Sequence, residues 1–254
     1  MKIATWNVNS LRVRFSQVVD WLEIHQPDAL ALQETKLVDE NFPQEAFKDI
    51  GYHAVYSGQK TYNGVAILCR QEPKDILTDL PNLVDSQRRI LGVTLDDIHV
   101  LNLYVPNGSE VGSEKYAYKL DWLGRIKDYL QEALVEYPKL IVLGDFNVAP
   151  ADQDVYDPEV WHETILCSTP EREALQEILA LGFQDSFRLF EQQAQSFSWW
   201  DYRGGAFHRN RGLRIDLILI SKALVSKCMG CVIDKEPRRL PRPSDHAPVI
   251  ATFA

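Results

Sequence analysis

Carboxylates, amides and one imidazole recur at the margins of apolar runs in this chain. They lie in Trp6-Asn7-Val8-Asn9, Leu32-Gln33-Glu34-Thr35-Lys36, Asn102-Leu103-Tyr104-Val105-Pro106-Asn107, Gly144-Asp145-Phe146-Asn147, Leu213-Arg214-Ile215-Asp216 and Ser244-Asp245-His246-Ala247-Pro248. Such groups are costly to desolvate, so their repeated placement predicts that they meet at one polar site. Glu34 and Asp245 are hard oxygen donors of the kind Mg²⁺ prefers, and Mg²⁺ commonly takes one or two carboxylates plus water and phosphate. Asp145 and Asn147, two residues apart on one turn, could grip the same water. His246 could donate to a phosphoryl oxygen while Asp216 orients its ring and favours its charged form, and Tyr104 offers a phenolic donor. Phosphodiester hydrolysis needs neutralised charge, an oriented water and a stabilised leaving alkoxide. The set therefore predicts a divalent-metal phosphodiesterase centre, using Mg²⁺ or Mn²⁺. Singly, Tyr104 reads as a core aromatic, Asn7 as a turn residue and Asp216 as a cap; together those readings require six unrelated exceptions.

Residues so far apart need a large scaffold. The 254 residues hold 45% hydrophobic side chains, enough for a sizeable core, and no low-complexity tract or linker divides them, so one domain over 1–254 is expected. Strands are predicted at Ile3–Trp6, Ala29–Leu32, Tyr52–Tyr56, Val65–Cys69, Arg89–Leu95, His99–Val105, Leu140–Leu143, Ile215–Ile220, Met229–Ile233 and Ala247–Thr252. Helical spacing runs from Leu11 through Phe15, Val18, Val19 and Leu22 until Pro27, and again over Glu114–Glu136. A third helix, capped by Thr169 with Pro170 at its first position, runs to about Leu181. Helices after the first, sixth and seventh strands imply two mixed sheets packed face to face with helices outside. Site residues both end strands (Asn7, Glu34, Asp145) and begin them (Asp216, Asp245, His246), which opposite strand directions can bring to one edge. The Asn/Asp-x-Asn turns at Asn7 and Asp145 hint at an internal duplication.

The net charge of −9 argues against a polyanionic partner as a total, but its distribution does not. Between Arg203 and Arg242 stand ten Lys/Arg against three acids, a net +7 that leaves −16 elsewhere. A basic face on an acidic body suits nucleic acid approaching from one side; a merely solvated basic segment is the competing explanation. Cys69, Cys167, Cys228 and Cys231 are too few for a disulfide scaffold, and Cys228-Met229-Gly230-Cys231 has no second Cys/His pair nearby, so buried reduced thiols are expected. Met1 to Asn7 lacks an apolar signal core and no apolar run spans a bilayer, which predicts a soluble cytoplasmic protein without membrane contact.

The six motifs, in this order, resemble those of the exonuclease III family of abasic-site endonucleases, within the endonuclease/exonuclease/phosphatase superfamily, and the likeness covers essentially the whole chain. It implies a four-layer α/β sandwich and metal-dependent cleavage of double-stranded DNA at abasic sites, together with trimming of 3′ ends, by a protein expected to act as a monomer. Carried over, Asn7, Glu34 and Asp245 would surround the metal, Asp145 and Asn147 would position the water, and Tyr104, Asp216 and His246 would act on the phosphate. Trp199, Trp200 and Leu213 match the family's pocket for an extruded baseless sugar, a small group that a tight aromatic wall can select.

Around that pocket, Arg203, Arg209, Arg211 and Arg214 are candidate phosphate contacts, with Arg88, Arg89, Lys115 and Lys119 as second contacts to the duplex, although solvated helix faces also explain the two lysines. His162 stands where several bacterial relatives carry a small residue; a bulky ring there would obstruct a continuous strand more than a 3′ terminus, and an exposed loop histidine with no role is the competing explanation. Two alternatives stay open: a superfamily phosphohydrolase of inositol phosphates or sphingomyelin, which would not need the tryptophans and arginines, and a DNA-end-binding module that has lost catalysis.

Overall fold

The computed structural model describes residues 1–81, 83 and 85–254. Among them, β1 (Lys2–Asn7), β2 (Ala29–Gln33), β3 (His53–Ser57), β4 (Val65–Cys69), β11 (Cys228–Ile233) and β12 (Val249–Phe253) form one sheet, ordered β11-β12-β1-β2-β4-β3. The strands β5 (Lys74–Leu77), β6 (Ile90–Leu95), β7 (Ile98–Tyr104), β8 (Leu140–Asp145), β9 (Phe183–Asp185) and β10 (Asp216–Ser221) form the other, ordered β5-β6-β7-β8-β10-β9. The helices are α1 (Leu11–His25), α2 (Gln44–Asp49), α3 (Glu114–Glu136), α4 (Thr169–Ala180) and α5 (Lys222–Val225).

Strand periodicity builds the layers. Ile3, Ala29, Ala31, Val65 and Ile67 of the first sheet meet Val93, Val100, Ile141, Leu143, Ile218 and Ile220 of the second in a shared core. The alternate residues Ala4, Trp6, Leu30, Leu32 and Leu68 face outward, under Val18, Trp21 and Leu22 of α1 and Phe47 of α2. On the far side, Leu101, Leu103, Val142, Leu217 and Leu219 pack under Trp122, Leu123, Ile126 and Leu130 of α3 and Leu175 and Ile178 of α4. The result is the expected four-layer α/β sandwich, and all six residues of β8 are buried, as a strand covered on both faces requires.

Three expectations change. Strands β5 and β9 and helices α2 and α5 were not foreseen; β5 is largely exposed and β9 has only three residues, so neither carries a clear apolar period. The N-cap of α4 is Ser168, not Thr169: Ser168 and Glu171 form a reciprocal capping box, Thr169 is the first helical residue, and Pro170 follows it. The duplication also reads differently. Strands β1 and β2 are parallel and joined by α1, as β7 and β8 are parallel and joined by α3, with antiparallel neighbours on either side in both sheets. By topology β1 therefore corresponds to β7 and β2 to β8, so the end of β8 at Asp145 matches Glu34 rather than Asn7.

A polar bridge joins the sheets near one end. Asn102 of β7 donates to the carbonyls of Leu32 and Ala66 in the opposite sheet, both at 3.0 Å, and accepts from Gln33 Nε2 at 2.7 Å. Gln33 also donates to Thr5 Oγ1 at 2.9 Å. These buried bonds fix how the sheets sit relative to one another just beneath the strand ends that carry the site.

Candidate active site

Four strand ends and one loop converge beyond that bridge. Strand β1 delivers Asn7, β2 leads to Glu34, β8 ends in Asp145, and the antiparallel β10 begins at Asp216, directly opposite Asp145. The segment entering β12 brings Asp245 and His246. Gly144 makes the approach of β8 possible: a Cβ there would lie 1.9 Å from the Leu103 carbonyl oxygen, and its φ of +139° is one that L side chains rarely adopt.

The side chains form a continuous network. Asn7 Nδ2 donates to Glu34 Oε1 and to Asp145 Oδ2, both at 2.9 Å, while its own Oδ1 accepts from the Asn9 amide. His246 lies with Nδ1 2.9 Å from Asp216 Oδ2 and Nε2 3.7 Å from Asp145 Oδ2. Ser198 Oγ donates to Asp216 Oδ2 at 2.7 Å, so that carboxylate is held from a second side. Lys36 Nζ sits 2.9 Å from Glu34 Oε2 and 2.6 Å from Asn9 Oδ1. Asp245 accepts from Asn9 Nδ2 and from Trp199 Nε1, each at 3.0 Å.

Crowding sets the electrostatics. Burial, aided by the Asp216 and Glu34 charges and opposed by His246, pushes the Asp145 carboxyl up to about 7. Burial of the His246 ring opposes its protonation, but Asp216 and Asp145 outweigh it and hold the imidazole at about 10. Burial, with Glu34 and Asp145 nearby, keeps the Tyr104 phenol well above its ordinary value, so it carries its proton; the Arg89 guanidinium lies 4.6 Å over that ring. Burial would raise Asp245, yet His246 and the bonds from Asn9 and Trp199 bring it below the usual range.

One ligand atom each from Glu34, Asp145 and His246 lies within 4.8 Å of the others. With His246 protonated, Glu34 and Asp145 remain as hard oxygen donors, and a cation between crowded carboxylates would relieve their repulsion, so the donor set fits Mg²⁺ or Mn²⁺. Of the expected ligands, Glu34 stands in this cluster. Asn7 turns its amide nitrogen toward the carboxylates and so positions them, and Asp245 borders the cluster with both oxygens hydrogen-bonded. The Asn147 amide is spent on its own turn: Nδ2 donates to the Val105 carbonyl at 3.0 Å and Oδ1 accepts from Asn107 at 3.1 Å. It thereby shapes the turn that holds Asp145.

The expected aromatic wall is corrected. Trp200 is fully buried, edge-on to Phe207 at 5.1 Å, and Leu213 is fully buried beneath Val155 and Ile215. Trp199 does reach the surface, and its partner is Trp161, edge-on at 6.4 Å. Together with Tyr156, Asp201, Arg203, Gly204, Ala206 and Arg211 they line an open groove of about 370 Å³. Exposed His162 follows Trp161 but does not line that groove.

The basic candidates divide in the same way. Arg203, Arg209, Arg211 and Lys115 are exposed. Half-buried Arg88 pairs with Asp79 at 3.0 Å. Arg214 cannot touch a duplex: it is fully buried, 2.7 Å from both Asp154 and Asp185, whose charges outweigh burial and raise its pKa. Lys119 is likewise fully enclosed against Glu171. Arg238 is buried under the Trp200, Tyr202 and Phe207 rings, so part of the +7 segment serves packing rather than the surface. All four cysteines are free, and burial pushes Cys69, Cys167 and Cys231 up to about 12, as inert thiols require. No helix among the described residues is long and apolar enough to cross a membrane.

Residues 4–246 match the Endonuclease/Exonuclease/phosphatase family. An exodeoxyribonuclease III from Haemophilus influenzae is 38% identical, with both chains covered in full. Among solved structures, the 3′ phosphatase NExo from Neisseria, bound to a product DNA hairpin, superposes with a TM-score of 0.98 at 47% identity over 100% of this chain and 99% of that one. An AP endonuclease from Archaeoglobus fulgidus follows at 0.95 and 40% identity, again over 100% and 99%. A site of carboxylates, imidazole and phenol at the shared end of two sheets, with matches of this extent, places the chain in the Endonuclease/Exonuclease/phosphatase family.

Proposed function

We propose that this protein is a Mg²⁺-dependent hydrolase of DNA phosphoesters, removing blocking groups and nucleotides from 3′ ends and cleaving at abasic sites in double-stranded DNA. It would act as a single-domain monomer in the cytoplasm, where bacterial DNA lies. The observation that carries this reading is the position of the Glu34, Asp145 and His246 cluster beside a groove walled by Trp161 and Trp199 and edged by Arg203 and Arg211. A DNA end needs both parts: phosphate chemistry, and an aromatic wall with cations at its rim. An inositol phosphohydrolase needs only the first.

Mg²⁺ held by Glu34 and its neighbouring carboxylates would neutralise charge on the phosphoryl oxygens. Asp145, held by the Asn7 side chain and the Asn147 backbone N–H, orients the attacking water and accepts its proton. His246, as imidazolium, and Tyr104, as phenol, donate to the phosphate as charge develops. The test is a comparison of four substrates with Mg²⁺ or EDTA: a 3′-phosphate-ended duplex, an abasic duplex, an undamaged duplex and an inositol polyphosphate. Turnover of the two damaged DNAs above the rest is expected; faster hydrolysis of the inositol polyphosphate overturns the reading.

Because Asp216 holds His246 charged, Asp216→Asn lowers the ring's pKa. The working form is the protonated one, so the alkaline limb of the kcat profile moves to lower pH and kcat falls, with KM changing less. An unmoved limb would make Asp216 merely structural. Replacing Arg209 and Arg211 with alanine weakens DNA binding and flattens the plot of log affinity against log salt by about one for each arginine that contacts phosphate. An identical slope would place the DNA elsewhere. His162, exposed beside the tryptophan wall, is the proposed obstacle to a continuous strand. His162→Gly then raises the ratio of internal abasic cleavage to 3′-end trimming severalfold, and an unchanged ratio removes that role.

A further inference from the structure

Lys119 and Glu171 are an ion pair with no exposed side-chain surface on either partner. Stability alone does not call for it, because a well-packed apolar pair of similar volume is often as stable or more so. What an apolar pair could not do is visible in the remaining bonds. An ammonium has three donors, and here each has an acceptor: Glu171, the Asn147 carbonyl at 2.6 Å and the Asn107 carbonyl at 3.2 Å. The two carbonyls belong to different loops, one after β7 and one after β8.

The bond to the Asn147 carbonyl helps fix a turn of special conformation. The φ of Asn147, +49°, is in the left-handed region, a conformation that persists for a non-glycine residue where its surroundings over-determine it. The same residue's amide N–H donates to Asp145 Oδ1 at 2.9 Å, so the conformation of the turn sets where that carboxylate points. Glu171 is fixed in turn, accepting from Ser168 Oγ at 2.6 Å and from the Leu166 and Ser168 amides at 3.1 Å. The chain of contacts runs from the first turn of α4 through a buried charge pair to the backbone that aims Asp145.

We propose that Lys119, anchored by Glu171, is a positioning residue that holds the Asn147 turn so that Asp145 is aimed at the attacking water. This rests on the reading of Asp145 given above. Removing one partner strands a buried charge, so the test removes both. Lys119→Met combined with Glu171→Met leaves no unpaired charge and deletes the tether. Misplacement of a reacting group by about 1 Å can cost 10²-fold, so kcat falls by about that factor while KM stays within about twofold. Hydrogen exchange quickens at the Asn147 and Val148 amides and not along β8. A folded double variant with natural kcat and natural exchange at those amides overturns the proposal. Should the methionine pair fail to fold, Lys119→Gln with Glu171→Gln is read by the same criteria, since glutamine, one atom shorter and with two donors in place of three, cannot keep all the bonds of the ammonium. The exchange measurement needs no turnover, so a natural protein inactive on DNA would count against the functional reading, and the tether would still be decided.

Discussion

With Glu34 replaced by alanine, turnover of a 3′-phosphate-ended duplex falls by about three orders of magnitude, the scale of several kcal/mol of lost charge stabilisation. The fold survives. Glu34 is half-buried and follows β2 instead of lying within it, and its removal relieves Asp145, whose pKa its charge helps to raise. Melting temperature therefore holds or rises while the rate collapses. Calorimetric titration with Mn²⁺ separates causes: weakened metal binding together with lost turnover marks Glu34 as a ligand, whereas unchanged binding would reassign it.

His246→Asn has the second largest effect, a loss of about 10²- to 10⁴-fold in kcat, the range for a positioned proton donor. This variant also loses stability, because Asp145 and Asp216 are left facing each other without the intervening cation; breaking a buried pair costs about 3–5 kcal/mol. The imidazole's folded pKa of about 10 lies above its ordinary 6.5, so its contribution to stability is complete below pH 6.5 and is lost as the pH rises through about 10. Adding Asp216→Asn to His246→Asn removes the repulsion, so melting temperature recovers and activity does not. Recovery of both would show that His246 acts only through packing.

The polar site was legible because its residues break apolar runs. Asn7, Glu34, Asp145, Asp216 and His246 each sit where a strand meets a turn, and one period of two placed the sheets that bring them together. What escaped was decided by side-chain direction. Sequence alone suggests a solvated or DNA-facing Lys119, yet Tyr116, Lys119, Leu123, Ile126 and Leu130 follow one another at helical intervals of three and four, so the apolar stripe itself places Lys119 inside. Arg214 offered a similar clue, two residues before Asp216 in an apolar run. The adjacent Trp199 and Trp200 necessarily point to different sides, and sequence alone did not say which one joins Trp161, because the loop from 151 to 167 has no period from which to read its path. Likewise, charge pattern suggested that His246 would be protonated. Only the distances to two carboxylates show how firmly that proton is held, which puts the pH signature of Asp216→Asn on the alkaline limb.

Metal-dependent hydrolysis at the shared end of the two sheets is tested most directly by the initial rate of phosphate release from a 3′-phosphate-ended duplex. The natural protein is first stripped with EDTA and then returned to excess Mg²⁺. The rate should be undetectable in the chelator and return in full with Mg²⁺; full activity after exhaustive chelation would contradict the account.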